Sequence, residues 1–384
     1  MKRVAIIGGV SNYEVIKGGV HSVVFNLSTQ FQNFPEYEFY LYGNKIVEKS
    51  INNTYFRNLL LPIPQFGLFV NFLLFGSKII KQIDESIKPD IYHFQDTVPN
   101  IILLKNNIRN KTVITQHGIL MEEMKSQPNI FKKIKFFIKE LVERHYIPGS
   151  KNLIFISNYN LRYVCDKYPI LKSANNKLIR NPIHSSFFNQ KKSNLKELRL
   201  YFVGRITKLK GFHDLLIALN SLIKLNIRIK LEVIGDFTDL KYKKFIHSII
   251  KNNNLNDYVS FHGWQNKDGI IEISSQCNVY ILPSYQETLP VSLAEAMALG
   301  KAVIATRLPG VEEMIEDGES GFLYLKGNVK ELSKKIQYLY DNSELIKQAG
   351  EKASIIAERM FNPKNILQET IDFYQNILNS NYQK

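Results

Sequence analysis

Residues Ser284–Gly300 read SYQETLPVSLAEAMALG, and this stretch decides how the second half of the chain is interpreted. The Leu, Ala and Met residues after Pro290 have the spacing of a short buried helix, and proline is tolerated in a first helical turn. Glu287 is therefore expected before the helix and Glu295 within it. A helix N-terminus carries unpaired N–H groups and about half a positive charge. The segment thus predicts a binding site for an anionic or hydroxyl-rich ligand.

The two glutamates do not settle this interpretation by their spacing alone. The chain contains 23 Glu, so a pair eight residues apart is expected about once by chance. Glu287 and Glu295 would then be a solvated loop acid and a solvated helix face. The rest of the sequence has to decide between the two readings.

Length and composition indicate a globular protein of two domains. The 384 residues are 45% hydrophobic and 12% aromatic, which is ample for two packed cores. Cys165 and Cys277 are the two cysteines, and they belong to no pattern with metal or redox spacing. A disulfide framework and a structural zinc site are therefore not expected.

The N-terminal sequence MKRVAIIGG is interpreted as a first strand that runs into a glycine turn. Its apolar run is too short for a signal peptide. The longest apolar stretch, Phe66–Phe75, falls short of the roughly 20 residues that a membrane-spanning helix needs. We therefore expect a cytoplasmic protein without a transmembrane helix.

The net charge of +15 is concentrated in the first half of the chain. Residues 1–190 hold 24 basic and 13 acidic side chains, against 26 and 22 in residues 191–384. Such a bias fits a nucleic acid, an acidic membrane surface, or simply a soluble lysine-rich surface. Phe131–Tyr146 favours the membrane, because it has the pattern of a basic amphipathic helix. The alternative is a helix that packs its apolar face on the core.

Short apolar runs alternate with helix-length stretches throughout the chain, which is typical of parallel α/β sheets. Ten strands are predicted, five before and five after a polar segment at Arg180–Lys196: Val4–Ile7, Glu38–Tyr42, Asp90–Phe94, Thr112–Thr115, Leu153–Ile156, Arg199–Val203, Lys230–Ile234, Val259–His262, Val279–Leu282 and Ala302–Thr306. The sequence therefore predicts an α/β protein of two doubly wound domains, residues 1–182 and 183–360. A C-terminal helix within 361–384 is expected to pack back on the first domain.

In the first domain, two motifs fall where a ligand could approach. Gly18 and Gly19 precede a helix that starts near Val20, and glycine allows close approach of the backbone to a phosphate or sugar. His117 follows the strand that ends in Thr115-Gln116, at the carboxyl edge of the predicted sheet. A histidine there can hydrogen-bond a sugar hydroxyl, although a purely structural role is also possible.

In the second domain, residues 204–211 read GRITKLKG between a strand and a helix. Arg205 provides a planar fork of donors and Lys210 a mobile point charge, and together they can hold a diphosphate. The alternative is an ordinary surface arginine and lysine. The P-loop, nucleophile-elbow and H-E-x-x-H patterns are absent, and so is any Asp-x-Asp, so no metal site is predicted.

Taken together, these motifs resemble those of the retaining glycosyltransferases of family 4, which have the GT-B architecture of two facing Rossmann-like domains with a cleft between them. The resemblance runs almost end to end and rests on five segments: GGV at 18–20, TQHG with His117, GRITKLKG with Arg205 and Lys210, ETLPVSLAEA with both glutamates, and PGVEEMIEDGESGFL at 309–323. One departure is Thr288-Leu289-Pro290, where many relatives have Gly-Phe-Gly. Pro290 has no N–H to donate to a sugar.

The resemblance implies a role for each motif. Arg205 and Lys210 would bind the donor diphosphate, Glu295 the ribose hydroxyls and Glu287 the transferred sugar. His117 would act on the sugar from the first domain, so that Glu287, His117, Arg205 and Lys210 form the expected catalytic set. The expected donor-binding residues are Gly18, Gly19, Arg205, Lys210, Glu287, Thr288, Leu289, Pro290, Val291 and Glu295.

The resemblance further implies a glycosyltransferase that moves a hexose from a nucleotide diphosphate sugar, with UDP as the first choice, and requires no cofactor or metal. We expect a glycan or polyprenyl-linked acceptor of cell-surface polysaccharide synthesis, contact with the inner face of the cytoplasmic membrane, and no nucleic acid partner. Two alternatives stay open. One is a sugar-nucleotide epimerase or phosphorylase of similar architecture, and the other is a basic nucleic-acid-binding protein.

Overall fold

A computed structural model describes residues 1–10, 19–44, 46–95, 106–125, 130–188, 190 and 197–382. The chain divides into two compact units. Unit 1 comprises Met1–Pro182 together with Pro363–Lys384, and unit 2 comprises Ile183–Asn362. Each unit is built on its own sheet.

Unit 1 contains an eight-stranded sheet that is parallel except at one edge. Its strands are β1 Lys2–Ile7, β2 Tyr37–Gly43, β3 Lys49–Ile51, β4 Thr54–Asn58, β5 Ile91–Phe94, β6 Thr112–Gln116, β7 Asn152–Phe155 and β8 Asn175–Leu178. Their order is β3-β4-β2-β1-β5-β6-β7-β8, and β3 is the antiparallel edge strand. The order reverses between β1 and β5, which is where a doubly wound sheet binds its ligand.

Helices cover both faces of this sheet. In chain order they are α1 Gly19–Ser28, α2 Gly67–Ile87, α3 Asn106–Asn110, α4 Leu120–Lys125, α5 Ile130–Tyr146 and α6 Asn158–Lys167. Alternate residues of β1 point to opposite faces, so Val4 and Ile6 lie in one core while Ala5 and Ile7 lie in the other. The sheet of unit 1 is therefore packed on both faces.

Unit 2 contains a six-stranded, fully parallel sheet. Its strands are β9 Leu198–Val203, β10 Ile229–Ile234, β11 Val259–Phe261, β12 Val279–Leu282, β13 Ala302–Thr306 and β14 Phe322–Tyr324. Their order is β11-β10-β9-β12-β13-β14, with the reversal between β9 and β12. The helices are α7 Phe212–Lys224, α8 Leu240–Asn252, α9 Lys267–Ser275, α10 Val291–Ala298, α11 Pro309–Glu312, α12 Val329–Asp341 and α13 Ser343–Phe361.

The last helix, α14 Pro363–Tyr382, belongs to unit 1. It contributes Ile366, Leu367, Ile371, Phe373 and Tyr374 to the core that β1, β2 and α1 also line. Tyr374 is fully buried there. The end of the chain is therefore part of the framework of unit 1.

The structure confirms the predicted α/β class with two parallel sheets, and all ten predicted strands are present to within two residues. It adds four strands that the sequence analysis did not predict, β3, β4, β8 and β14. The prediction that Val259–His262 is a strand was one residue too long, since β11 ends at Phe261. None of the helices within the described ranges is long and apolar enough to cross a membrane.

Candidate functional site

The carboxyl ends of β9 and β12 form the strongest candidate site in unit 2. The two strands are neighbours in the sheet, and the chain leaves them at the point where the strand order reverses. Open parallel sheets bind ligands at this point because the loops that follow the two strands diverge and leave a crevice. Arg205 and Lys210 follow β9, and Glu287 follows β12.

Arg205 is exposed directly after the first of these strands. The neighbouring Ile206 is fully buried, and its N–H donates to the Asp236 carbonyl oxygen at 2.9 Å, which anchors the loop. No hydrogen bond or ion pair joins the Arg205 guanidinium to the described residues. Its donors are therefore available to a ligand.

Two close contacts bring the loop after β9 against the loop after β12. Gly211 has φ +61° at the start of α7, and a Cβ at this position would lie 1.9 Å from the Pro283 carbonyl oxygen. Only glycine fits here. The second contact is a hydrogen bond, which the Tyr285 N–H donates to the Leu209 carbonyl oxygen at 2.7 Å. Lys210 is thereby placed beside the segment that carries Glu287.

Lys210 and Glu287 form an ion pair in this structure. The Lys210 Nζ atom lies 2.5 Å from Glu287 Oε1, and the side chains are 23% and 10% exposed. A pair that is mostly withdrawn from water is screened less than a surface pair. The two residues that the sequence assigned to different parts of the ligand therefore contact each other directly.

Glu295 lies on the second turn of α10, eight residues after Glu287, as predicted. The side chain is partly buried, and burial raises the pKa of its carboxyl group to about 8. No hydrogen bond reaches this carboxyl from the residues that the structure describes. A carboxyl group in this condition gains from donors that a ligand supplies, such as the two hydroxyls of a ribose.

The residues between the two glutamates form the entry to α10. Pro290 is the N-cap residue rather than a residue of the first turn, and the helix begins at Val291 without a side-chain cap. The N–H groups at the start of α10 therefore receive no side-chain cap and can donate to a ligand. Leu289 and Pro290 are buried, whereas Thr288 and Val291 are partly exposed. Of the predicted donor contacts in this loop, Thr288 and Val291 are the accessible side chains.

Gly310, which the sequence analysis did not single out, packs against the loop of residues 287–290. This loop is called the donor loop below, after its predicted role. A Cβ on Gly310 would lie 1.9 Å from the Thr288 carbonyl oxygen, so α11 packs directly on the backbone of the loop. Tyr285 braces the other end, where its hydroxyl donates to Asp214 Oδ2 at 2.7 Å and its ring stacks on His213. In the sequence, the glycine of the PGVEE motif could have indicated this close packing.

In unit 1, the predicted residues fall at the carboxyl edge of the sheet. Gly18 lies outside the described residues. Gly19 is the first residue of α1, and no atom of the described part of the chain lies within 4 Å of the Cβ position that it lacks. His117 follows β6 and donates its Nε2–H to Gln95 Oε1 at 2.8 Å. Burial lowers the pKa of His117 to about 4, although the nearby Asn181 side chain opposes the shift, so the ring is neutral at pH 7.

Two family profiles match the sequence, and together they cover residues 17–355. The family described as "Glycosyl transferases group 1" matches residues 185–355. The family described as "Glycosyltransferase Family 4" matches residues 17–187. The first profile includes all the charged residues of the unit 2 site, and the second includes Gly19 and His117.

Several known glycosyltransferases are similar to this chain in sequence or in fold. The chain is 27% identical over 355 residues to an uncharacterized glycosyltransferase of Methanocaldococcus jannaschii, covering 89% of this chain and 90% of that one. It is 26% identical over 185 residues to the capsular polysaccharide biosynthesis glycosyltransferase CapM of Staphylococcus aureus, covering 46% of each. The fold is similar to that of sucrose-phosphate synthase from Thermosynechococcus elongatus, with a TM-score of 0.82, 18% identity, and coverage of 99% and 100%. This likeness confirms the predicted GT-B class.

Proposed function

Because the chain belongs to the group 1 glycosyltransferases of family 4, as its motifs predicted, we propose that it transfers a hexose from a nucleotide diphosphate sugar with retention of the anomeric configuration. UDP-hexoses are the first donors to test. The acceptor is a glycan or a polyprenyl-linked saccharide of cell-surface polysaccharide synthesis. The match to a capsule-synthesis glycosyltransferase supports the pathway class.

The observation that carries this proposal is that two cations follow β9 and two carboxyl groups follow β12, on either side of the switch point of the unit 2 sheet. Arg205 is exposed, and Lys210 is paired only with Glu287 among the described residues. Both cations lie on the loop after β9. Such a pair suits a diphosphate, which presents several oxygens to a guanidinium fork and a point charge. The Glu295 carboxyl group lies on α10, the helix that follows Glu287, and suits the ribose of the same ligand.

The reaction needs charge stabilisation more than it needs an enzymic nucleophile. Breaking the bond between the anomeric carbon and the diphosphate leaves negative charge on the phosphate oxygens. Arg205 and Lys210 stabilise that charge, and they do so best in a site from which water is excluded. Since these two cations supply the neutralising charge, the proposal includes no divalent metal ion.

Retention follows from attack on the face that the leaving group vacates. The acceptor hydroxyl oxygen forms the new bond to the anomeric carbon while the bond to the diphosphate breaks. The hydroxyl proton passes to a phosphate oxygen of the leaving nucleoside diphosphate. Glu287 accepts hydrogen bonds from hydroxyls of the transferred sugar, which requires it to leave or share Lys210.

Helix α5 supports a peripheral position on an anionic membrane. Its large apolar side chains point outward, and four of them are between 46% and 48% exposed: Ile134, Phe137, Ile138 and Leu141. Lys133 and Lys135 are exposed beside them, and the Lys139 ammonium group lies 5.3 Å from the ring centre of Phe69. Apolar side chains flanked by lysines fit the boundary between acyl chains and anionic headgroups.

The inward face of the same helix is acidic, which explains the orientation. Glu140 and Glu143 are buried, and Lys167 of α6 approaches them at 3.1 Å and 3.5 Å. These ion pairs fix which side of α5 faces the unit and leave the apolar side to the surroundings. The alternative prediction, that the apolar face of this helix packs on the core, is wrong for these four side chains.

A turnover assay tests the proposed function. Purified protein would be incubated with UDP-hexoses and a lipid extract that contains polyprenyl-linked saccharides, with EDTA present, and release of the nucleoside diphosphate measured. We expect release that depends on the extract, and a product with the same anomeric configuration as the donor by NMR. Conversion of the sugar nucleotide to an epimer without any acceptor would instead establish the epimerase alternative.

A further inference from the structure

A chain of hydrogen bonds connects α14 to the ring of His117 through the interior of unit 1. The Tyr374 hydroxyl lies 2.5 Å from His93 Nδ1, and the Thr115 hydroxyl lies 2.7 Å from His93 Nε2. Gln95 Nε2 also lies 3.2 Å from His93 Nε2, while Gln95 Oε1 lies 2.8 Å from His117 Nε2. All these residues but His117 are almost fully buried. Of this chain, only His117 has an expected role in the reaction, on the basis of the sequence motifs.

The amide of Gln95 sets the direction of each hydrogen bond. Its oxygen can only accept, so His117 Nε2 carries a proton and donates. Its nitrogen can only donate, so His93 Nε2 accepts, and the Thr115 hydroxyl donates to the same nitrogen. A neutral imidazole has one N–H, so the proton of His93 is on Nδ1 and is donated to the Tyr374 oxygen.

Both rings are neutral, which makes the position of the proton decisive. Burial lowers the pKa of His93 to about 3, and the neighbouring His117 lowers it further. With its proton on Nε2, His117 has a lone pair on Nδ1. That atom is buried. The Asn181 side chain interacts with the ring and raises its pKa, but no hydrogen bond of standard geometry reaches Nδ1 from the described residues. A buried acceptor without a partner is costly unless a ligand supplies a donor.

We propose that Gln95 and His93 are positioning residues that hold His117 in the Nε2–H tautomer, so that Nδ1 accepts a hydrogen bond from a hydroxyl of the transferred sugar. The inference rests on the proposed function for the identity of that hydroxyl. Gln95 follows β5, beside the switch point of the unit 1 sheet, and His93 lies within β5. Tyr374 extends this control to α14, 281 residues from His93.

The tautomer can be measured directly, without substrate. The full chain is labelled with ¹⁵N-histidine, and His117 is assigned by the signal missing from His117→Gln. We expect the Nε2–H pattern throughout pH 6–8. In Gln95→Glu the carboxylate still accepts from Nε2, so the tautomer is unchanged. In Gln95→Leu the acceptor is lost, and we expect a mixture of tautomers. An Nδ1–H pattern in the wild type, or an unchanged pattern in Gln95→Leu, would overturn the proposal.

Tyr374→Phe provides a second test if Gln95→Leu does not fold. Removing the hydroxyl leaves the buried His93 Nδ1–H without an acceptor, so His93 shifts partly to its other tautomer and the Gln95 amide turns with it. We expect a detectable Nδ1–H population at His117, although Tyr374 does not touch that ring. If Gln95→Leu does not fold, a His117 pattern in Tyr374→Phe identical to that of the wild type would overturn the proposal.

Kinetics separate this inference from the proposed function. Gln95→Leu should lower kcat/KM for the sugar nucleotide about tenfold, the value of one hydrogen bond. Its affinity for the nucleoside diphosphate, which lacks the sugar, should be unchanged. Equal loss of both would indicate general damage and contradict a positioning role. A wild-type protein that turns over no sugar nucleotide would contradict the proposed function, whatever tautomer the NMR experiment finds.

Discussion

The Nζ atom of Lys210 lies 2.5 Å from Oε1 of Glu287 and joins the loops that follow two neighbouring strands of the unit 2 sheet. The cation assigned to the diphosphate and the carboxylate assigned to the sugar therefore neutralise each other. A diphosphate that binds between them competes with Glu287 for Lys210. On the proposed function, a donor diphosphate has to replace Glu287 as the partner of Lys210.

Glu287→Gln should separate donor binding from catalysis. The neutral amide releases Lys210, so we expect the nucleoside diphosphate to bind about threefold to tenfold more tightly by calorimetry. The sugar loses a charged hydrogen-bond acceptor, and the transfer rate should fall by about a hundredfold or more. If the nucleoside diphosphate binds more weakly to this variant than to the wild type, Lys210 is not the residue that receives it.

Arg205→Ala should affect activity and leave stability almost unchanged. Because the guanidinium is exposed and unpaired within the described residues, the unfolding midpoint should stay within about 2 °C of the wild type. The loss of charge stabilisation should lower kcat/KM by about a hundredfold to a thousandfold.

Arg228→Ala is the matched control for this experiment. Arg228 is an exposed arginine just before β10. It therefore lies at the amino ends of the strands, whereas Arg205 lies at their carboxyl ends. Its removal should change neither stability nor kcat/KM. Similar rates for the two variants would remove Arg205 from the proposed site.

The raised pKa of Glu295 predicts a pH dependence of donor binding. With the pKa near 8, the carboxyl group is mostly protonated at pH 7 in the free protein. Ribose hydroxyls donate preferentially to the ionised form, so binding releases a proton and affinity rises with pH up to about 8. One-proton linkage allows at most about a tenfold increase between pH 7 and pH 8.

Glu295→Gln provides the comparison, because an amide does not titrate in this range. Its affinity for the nucleoside diphosphate should be lower, and it should show only the pH dependence of the diphosphate itself. Calorimetry at pH 7, 7.5 and 8 measures both proteins. Parallel pH profiles in wild type and variant would mean that Glu295 does not ionise on binding.

Gly310→Ala should displace the backbone of the donor loop at Thr288. Its Cβ would overlap the Thr288 carbonyl oxygen, and overpacking of this kind costs about 1–3 kcal/mol, or about 2–12 °C in the unfolding midpoint of a unit of this size. Displacement of Thr288 should also weaken nucleoside diphosphate binding about tenfold or more.

Gly318→Ala separates the clash from general glycine effects. Gly318 has φ +84° with open space around it, so alanine introduces backbone strain of about 1 kcal/mol and no overlap. Its donor affinity should equal that of the wild type. The loop-support role of Gly310 fails if Gly310→Ala also binds normally.

Charge reversal on α5 should abolish membrane binding. Lys133→Glu, Lys135→Glu and Lys139→Glu together replace attraction to anionic lipid, worth about 1 kcal/mol for each lysine, with repulsion. We expect at least a hundredfold weaker binding to vesicles that contain anionic lipid, measured by sedimentation at low salt. The wild type should bind neutral vesicles weakly.

The control carries the same charge change on another helix. Lys241→Glu, Lys243→Glu and Lys244→Glu alter exposed residues of α8. This protein should bind vesicles almost as the wild type does. An equal loss in both triple variants would show a net-charge effect, and no binding by the wild type would refute the membrane proposal.

The sequence predicted the central strands because burial on both faces leaves a plain signal. Tyr280, Ile281 and Leu282 of β12 are fully buried, and such continuous apolar runs are typical of parallel sheets. Of the four strands that sequence analysis did not predict, β14 is apolar and buried but only three residues long, whereas β3 and β8 lack this signal. β3 is entirely exposed, and β8 has the polar sequence Asn175–Leu178. Their partners in the sheet, rather than their own residues, make them strands.

The sequence motifs named the residues of the candidate site, but they did not predict the contacts between those residues. The motifs located Lys210 and Glu287, yet 77 residues separate them, and their ion pair depends on the packing of Gly211 against Pro283. In the same way, Gly310 touches Thr288 because α11 follows β13, the strand that pairs with β12. Side-chain pairs across such distances follow from the folded topology, which local patterns do not contain.

The donor site in unit 2 can be tested by thermal unfolding with a panel of nucleoside diphosphates and sugar nucleotides in EDTA. We expect one diphosphate and its sugar nucleotides to raise the unfolding midpoint of the wild type. The increase should be absent from Glu295→Ala and Lys210→Ala. If no member of the panel stabilises the wild type, or if both variants respond as the wild type does, the site between β9 and β12 is not a donor site.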